Sequence, residues 1–245
     1  MEQPYLKILI LSPHRGTAAF SLALAITRWR AGGHRVTILN VFSRSLHAPW
    51  SDADTVHEND RLSYVSALRR KEDESFLRQI PGLAMIDLNL KDAPIRLRCD
   101  PATVFALEPS PEDTAIPKIH KALDQNTFDA LVLPLALGNH VDHRVVREAT
   151  LLASTQHPCA FYEDLPYATS SEADSAALPG KLTPVLIHGT HAQPAEFKRR
   201  MAVLYASQLD GEEARAIAAF SERYQGAERL WANAAWLASP GLNPL

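Results

Sequence analysis

Cysteine is nearly absent. The 245 residues hold two, Cys99 and Cys159, far apart and without the spacing of a metal-binding pair, which argues against a disulfide scaffold. Long apolar runs are missing as well. Ile8-Leu9-Ile10-Leu11 is too short for a membrane span and lacks the flanks of a cleaved leader, so the expectation is a soluble, cytoplasmic chain. A basic excess is also lacking: 25 Lys and Arg stand against 28 Asp and Glu, a formal net charge of −3, leaving no electrostatic footprint for nucleic acid or an anionic membrane. The local clusters Arg69-Arg70-Lys71 and Lys198-Arg199-Arg200 fall in helical segments and read as solvated faces. There is no internal repeat and no low-complexity tract. With 46% hydrophobic residues the chain supports a sizeable core, and one domain over 1–245 is expected.

What is present is an alternation of short apolar runs with helical segments. Tyr5–Ser12, broken by Pro13, reads as a strand buried on both faces. Thr17–Arg30 reads as a helix stopped by Gly32-Gly33, and His34–Val41 as a second strand. Strand, helix and strand in about forty residues make a βαβ unit with a parallel sheet. Further on, Glu58–Ile80 is a charged amphipathic helix, Leu83–Leu90 a strand, Pro111–Gln125 a helix regular in its later half, and Phe128–Leu135, Cys159–Tyr162 and Thr183–His188 strands, the last of these closing the sheet. Pro194–Gln208 and Gly211–Tyr224 are helical. Residues 89–111, with Pro94, Pro101 and Pro109, resist a continuous helix. The small polar stretch Thr169–Lys181 reads as a disordered surface loop.

The densest chemistry follows the Phe128–Leu135 strand: Asn139-His140-Val141-Asp142-His143, with a helix-compatible segment Arg144–Ala153 behind it. Asp142 alone has a plain reading as a helix cap. In a doubly wound sheet, however, a later strand returns beside the first, and ligands bind between their ends. That rule brings the loop Pro13-His14-Arg15-Gly16-Thr17 against the second cluster, so three histidines and a carboxylate converge.

The His14 loop, Arg69-x-x-Glu72, His140-x-Asp142-His143, Tyr162-Glu163-Asp164-Leu165-Pro166-Tyr167-Ala168 and Tyr205-Ala206-Ser207-Gln208 occur in an order that resembles the PIG-L/LmbE family over nearly the whole chain. The resemblance implies a Rossmann-like, three-layer α/β fold with a mostly parallel sheet. It further implies a zinc-dependent N-deacetylase or amidase acting on a small molecule, an amino-sugar conjugate. By resemblance His14 and His143 are metal ligands, His140 sits over the oxyanion and Asp142 orients a neighbouring imidazole. In the family an arginine on the helix of Arg69 faces the site, and Glu163 and Asp164, which follow a strand at the same sheet edge, are candidate substrate-binding partners for sugar hydroxyls.

The first loop departs from the family pattern His-Pro-Asp-Asp-Glu. Gly16 stands where the general base belongs, Thr17 where a carboxylate ligand belongs, and Ala18 replaces the glutamate. A hydroxyl is a far poorer zinc ligand than a carboxylate. Arg15 with Gly16 and Thr17 at a helix start suggests instead an anion cradle. The expectation is therefore a deacetylase homologue with a degraded or rebuilt metal site; the alternative is a metal-free sugar- or anion-binding protein. Asp52, Asp54, His57, His188 and His191 are the candidates to supply what the loop lacks. Arg69 and Glu72, one turn apart, suit a local ion pair of about 0.3 kcal/mol.

Overall fold

A computed structural model describes residues 5–170 and 180–242. Its strands are β1 (Lys7–Ser12), β2 (Arg35–Asn40), β3 (Ala84–Asp87), β4 (Ala130–Pro134), β5 (Cys159–Tyr162), β6 (Thr183–His188) and β7 (Ala227–Ala232). They form one seven-stranded sheet in the order β3-β2-β1-β4-β5-β7-β6. The pairs from β3 through to β5 are parallel, and β7 runs antiparallel to both β5 and β6.

The alternation along β1 builds the layers. Ile8 and Ile10 pack into one core with α1 (Thr17–Ala31), the end of α2 (Glu58–Leu77), α6 (Pro194–Ala202) and α7 (Gly211–Phe220). Leu9 and Leu11 pack into the other with α3 (Ala93–Leu97), α4 (Ile116–Gln125) and α5 (Val141–Gln156). Each such buried leucine or isoleucine contributes about 1.5–3 kcal/mol. The chain winds outward from β1 to β3, then returns with β4 beside β1, so the switch point lies where the sequence puts it. Among the described residues no helix is long and apolar enough to cross a membrane.

Three expectations change. β7 extends a sheet that the sequence closes at β6. Its alternation is masked by Glu228 and Arg229, both paired within the fold. Lys198 Nζ bonds Glu228 and donates to the carbonyl of Phe20 (2.8 Å), while Glu228 accepts from the backbone N–H groups of Leu24 and Ala25. Secondly, Arg69 and Lys198 are buried rather than parts of solvated faces. Thirdly, Pro194–Gln208 is helical only to Ala202 and tightens into a 3-10 turn over Val203–Tyr205; a short α8 (Ala234–Leu237) follows β7. The loop expected at Thr169–Lys181 lies largely outside the described residues.

Candidate active site

The crevice at the switch point opens into a cavity of about 670 Å³ lined by His14, Arg69, Asp92, Phe105, His140 and Tyr167 among others. Three imidazoles gather at its base, with ring centroids 4.8 Å (His14 to His140), 5.2 Å (His14 to His143) and 5.3 Å (His140 to His143) apart.

Hydrogen bonds fix which nitrogen each ring presents. Asp142 does not cap α5: His140 does, its Nδ1 accepting the Asp142 N–H at 3.1 Å. With Nδ1 an acceptor, the neutral His140 ring carries its proton on Nε2. The Asp142 carboxylate, fully buried, instead joins the two loops. Its Oδ2 lies 2.8 Å from His14 Nε2 and accepts the Ala93 N–H at 2.9 Å, and its Oδ1 is ion-paired with Arg96 at 2.9 Å. A carboxylate only accepts, so His14 holds its proton on Nε2 and leaves the Nδ1 lone pair. In the same way Asp164 Oδ1 accepts a hydrogen bond from His143 Nδ1–H at 2.6 Å, and Asp164 itself accepts from the Leu137 N–H. That leaves His143 Nε2 buried and without a partner among the described residues. Two rings thus offer lone pairs and the third offers an N–H, with both lone-pair rings backed by carboxylates as metal-binding histidines commonly are. Burial, reinforced by the neighbouring imidazoles, pushes the His140 pKa down to about 2 and that of His14 well below its usual value.

Zinc takes imidazole nitrogen and carboxylate oxygen in fours, one position kept for water in catalytic sites. The orphaned Nε2 of His143 and the carboxylate-backed His14 fit that ion. One ligand atom each of His14, His140 and Asp142 also lies within 4.8 Å of the others, although Asp142 is already committed to three partners. Thr17, buried against the cavity, supplies a hydroxyl where the family places a carboxylate.

Other residues expected at the site have different neighbours. Arg15 lines the cavity, with its guanidinium paired to Asp73 and Asp87, and Asn40 donates to both carboxylates. Glu163 does not line the cavity. It binds Arg229, Tyr224 and Trp231, tying β5 to β7. Asp164 stands behind His143 rather than at the cavity wall. Arg69 does line the cavity, donating to the Arg15 carbonyl at 3.0 Å and to Gln208 Oε1 at 2.6 Å. It makes no local pair with Glu72, which accepts instead from Ser207 and Gln208. Of the proposed replacements, Asp52 holds Tyr64, His57 caps α2, His191 stacks on Phe197 at 3.6 Å and His188 ends β6. Asp54 reaches the cavity rim, where it is exposed beside Arg61.

A carboxylate missed by sequence is Asp92, at the start of α3. It is 5% exposed, lines the cavity, and has a buried Oδ1 without a partner among the described residues. Its only sequence signal, Asp two residues before Pro94, reads as a helix start. Ser45 and Phe105 are likewise unmarked; the Phe105 ring stands edge-on to His140 at 5.4 Å and to Tyr167 at 5.6 Å.

A doubly wound sheet with a cavity and carboxylate-backed histidines at its switch point defines a Rossmann-like α/β protein with a ligand-binding crevice. Residues 9–154 match the family model described as PIG-L, GlcNAc-PI de-N-acetylase, and the chain belongs to that family. It is 30% identical to a 2'-N-acetylparomamine deacetylase of Streptomyces fradiae over 92% of this chain and 81% of that one. It is 28% identical to the protein of the same name from Niallia circulans over 68% and 70% respectively. A solved structure of a zinc-inhibited form of teicoplanin deacetylase superposes with a TM-score of 0.71 at 21% identity, covering 92% of this chain and 97% of that one.

Proposed function

We propose that the protein hydrolyses the N-acyl group of an amino-sugar conjugate. The observation that carries this reading is the division of labour among the three imidazoles: lone pairs on His14 and His143, and a proton on His140 Nε2. His14 and His143 would hold a zinc ion, which when bound acidifies water and polarises an acyl oxygen. His140 then donates to the oxygen on which charge develops, and its neutral state at ordinary pH keeps that role available. Asp142 and Asp164 hold His14 and His143 in the required tautomers. Arg69 offers a buried guanidinium to sugar hydroxyls. The two relatives named as 2'-N-acetylparomamine deacetylases support an acylated amino sugar as the substrate class.

The absence of carboxylates at Gly16 and Thr17 favours a second reading, a sugar-binding protein without turnover. The test is amine release from N-acetylparomamine and N-acetylglucosamine conjugates after incubation with zinc, alongside bound-metal analysis. Turnover with stoichiometric zinc, both lost in His143→Ala, is the expected result. Sugar binding without zinc uptake or product would replace the hydrolase by the binding protein.

A further inference from the structure

Asp142 fixes His14, and something must fix Asp142. Its carboxylate is fully buried, and a buried charge needs a partner of opposite sign as well as hydrogen bonds. The Ala93 N–H and His14 Nε2–H meet Oδ2 but bring no charge, because burial keeps His14 neutral. The charge comes from Arg96 in α3, whose Nη2 lies 2.9 Å from Asp142 Oδ1, the oxygen that His14 does not use. The Arg96 side chain is 11% exposed and stands outside the cavity lining.

Arg96 is itself held at each of its nitrogens. Nη2 and Nε donate to Asp113 Oδ2 at 2.9 and 3.2 Å, and Nη1 donates to the Lys91 carbonyl at 3.0 Å. The guanidinium carbon lies 4.3 Å from the centroid of the buried Phe42 ring, which is 6.2 Å from the His14 ring. Asp113 is buried too, and its Oδ1 accepts the Ala115 N–H at 2.9 Å. A planar guanidinium clamped in this way cannot swing, so it presents Nη2 to Asp142 in one orientation. Asp113, Arg96, Asp142 and His14 thus form a chain whose contacts are 2.9, 2.9 and 2.8 Å.

We infer that Arg96 is a positioning residue for the metal site, acting through Asp142: it fixes the carboxylate so that Oδ2 receives the His14 Nε2 proton and the Nδ1 lone pair stays available to an ion. This inference rests on the hydrolase reading above, in which His14 is a zinc ligand. The same contact decides what Asp142 does. One oxygen of that residue lies within 4.8 Å of ligand atoms of His14 and His140, close enough to be drawn to a cation. With Oδ1 on Arg96 and Oδ2 on His14 and Ala93, Asp142 remains behind the imidazole as its partner. Outer partners of this kind orient a ligating histidine and set its tautomer. The contacts with Asp113 and Lys91 alone would describe a fastener for residues 91–113; the contact with Asp142 separates the two roles.

Arg96→Met keeps the reach of the side chain and removes its charge. In long-range proton–nitrogen NMR spectra of the metal-stripped protein, wild-type His14 should show one tautomer, protonated on Nε2, and the variant a mixture of both. Zinc affinity by titration calorimetry is expected to fall about 10–100-fold. At saturating zinc, with N-acetylparomamine as substrate, kcat should fall while KM stays nearly constant, because Arg96 does not line the cavity. Arg96→Lys, which restores the charge without the fork, should recover part of each loss. Asp113→Asn, which weakens only the far end of the chain, should lower the thermal midpoint yet leave the His14 tautomer and zinc affinity as in wild type. Where Arg96→Met does not fold, Arg96→Met with Asp113→Asn strands no charge at Asp113 and should show the same losses. An unchanged tautomer and zinc affinity in a folded protein lacking Arg96, or equal losses in Arg96→Met and Asp113→Asn, would overturn the inference and leave Arg96 a fastener. Absence of turnover in zinc-loaded wild type would remove the hydrolase reading alone, and the tautomer and affinity comparisons would then decide for or against Arg96.

Discussion

Thr17 occupies the first position of α1, buried and facing the cavity. The preceding residue, Gly16, has φ 92°, and a Cβ there would come within 2.7 Å of the Phe20 ring. A carboxylate restored at position 16 would thus have to displace Phe20 and adopt a backbone conformation that costs an L-residue about 1–2 kcal/mol. Thr17 has a negative-φ helical position and stands at the positive end of the helix dipole, where an acid is favoured. Thr17→Asp is therefore expected to tighten zinc binding by at least about tenfold, since a direct carboxylate ligand should be worth no less than an outer partner. Titration calorimetry of the metal-stripped protein measures it; an unchanged affinity would remove Thr17 from the metal's surroundings.

At the scale of elements, β7 and α6 are fastened to α1 through one buried pair. Lys198 and Glu228 have side chains 1% and 5% exposed, and both bond to the backbone of α1. Removing one partner strands a buried charge, so Glu228→Ala is expected to lower stability by about 3–5 kcal/mol in urea unfolding. Lys198→Met with Glu228→Gln should recover most of that loss, because Gln keeps an acceptor for Leu24 and Ala25; a single variant as stable as wild type would show the pair to be dispensable. The same pair explains why β7 was illegible. Two adjacent charged residues in a six-residue strand look like surface until partners thirty or more positions away are in place. β1 and β4 are readable because both their faces are apolar, β2 because Val36, Ile38 and Leu39 make an apolar run, and the winding rule then places His14 opposite His140 and His143. Arg15 and Glu163 carried charges that suggested ligands, yet Asp73, Asp87 and Arg229 meet them first. Asp92 poses the reverse difficulty: only the fold reveals that one of its oxygens has no partner among the described residues.

For the whole molecule, the histidine cluster couples stability to pH. His14 and His140 are kept neutral by burial, with folded pKa values far below the unfolded value of about 6.5. As pH falls below that value the unfolded chain binds protons that the native chain refuses. Stability from this source is therefore complete above pH 6.5 and is lost as pH falls towards the folded pKa values. The slope is about 1.4 kcal/mol per pH unit for each histidine once the unfolded residue is charged. In the presence of a chelator, denaturant midpoints should fall steeply between pH 6.5 and 5, and His140→Asn should flatten the slope by roughly half. A slope identical in wild type and His140→Asn would mean that His140 protonates in the native state, and with it the neutral N–H donor assigned to this ring would be lost.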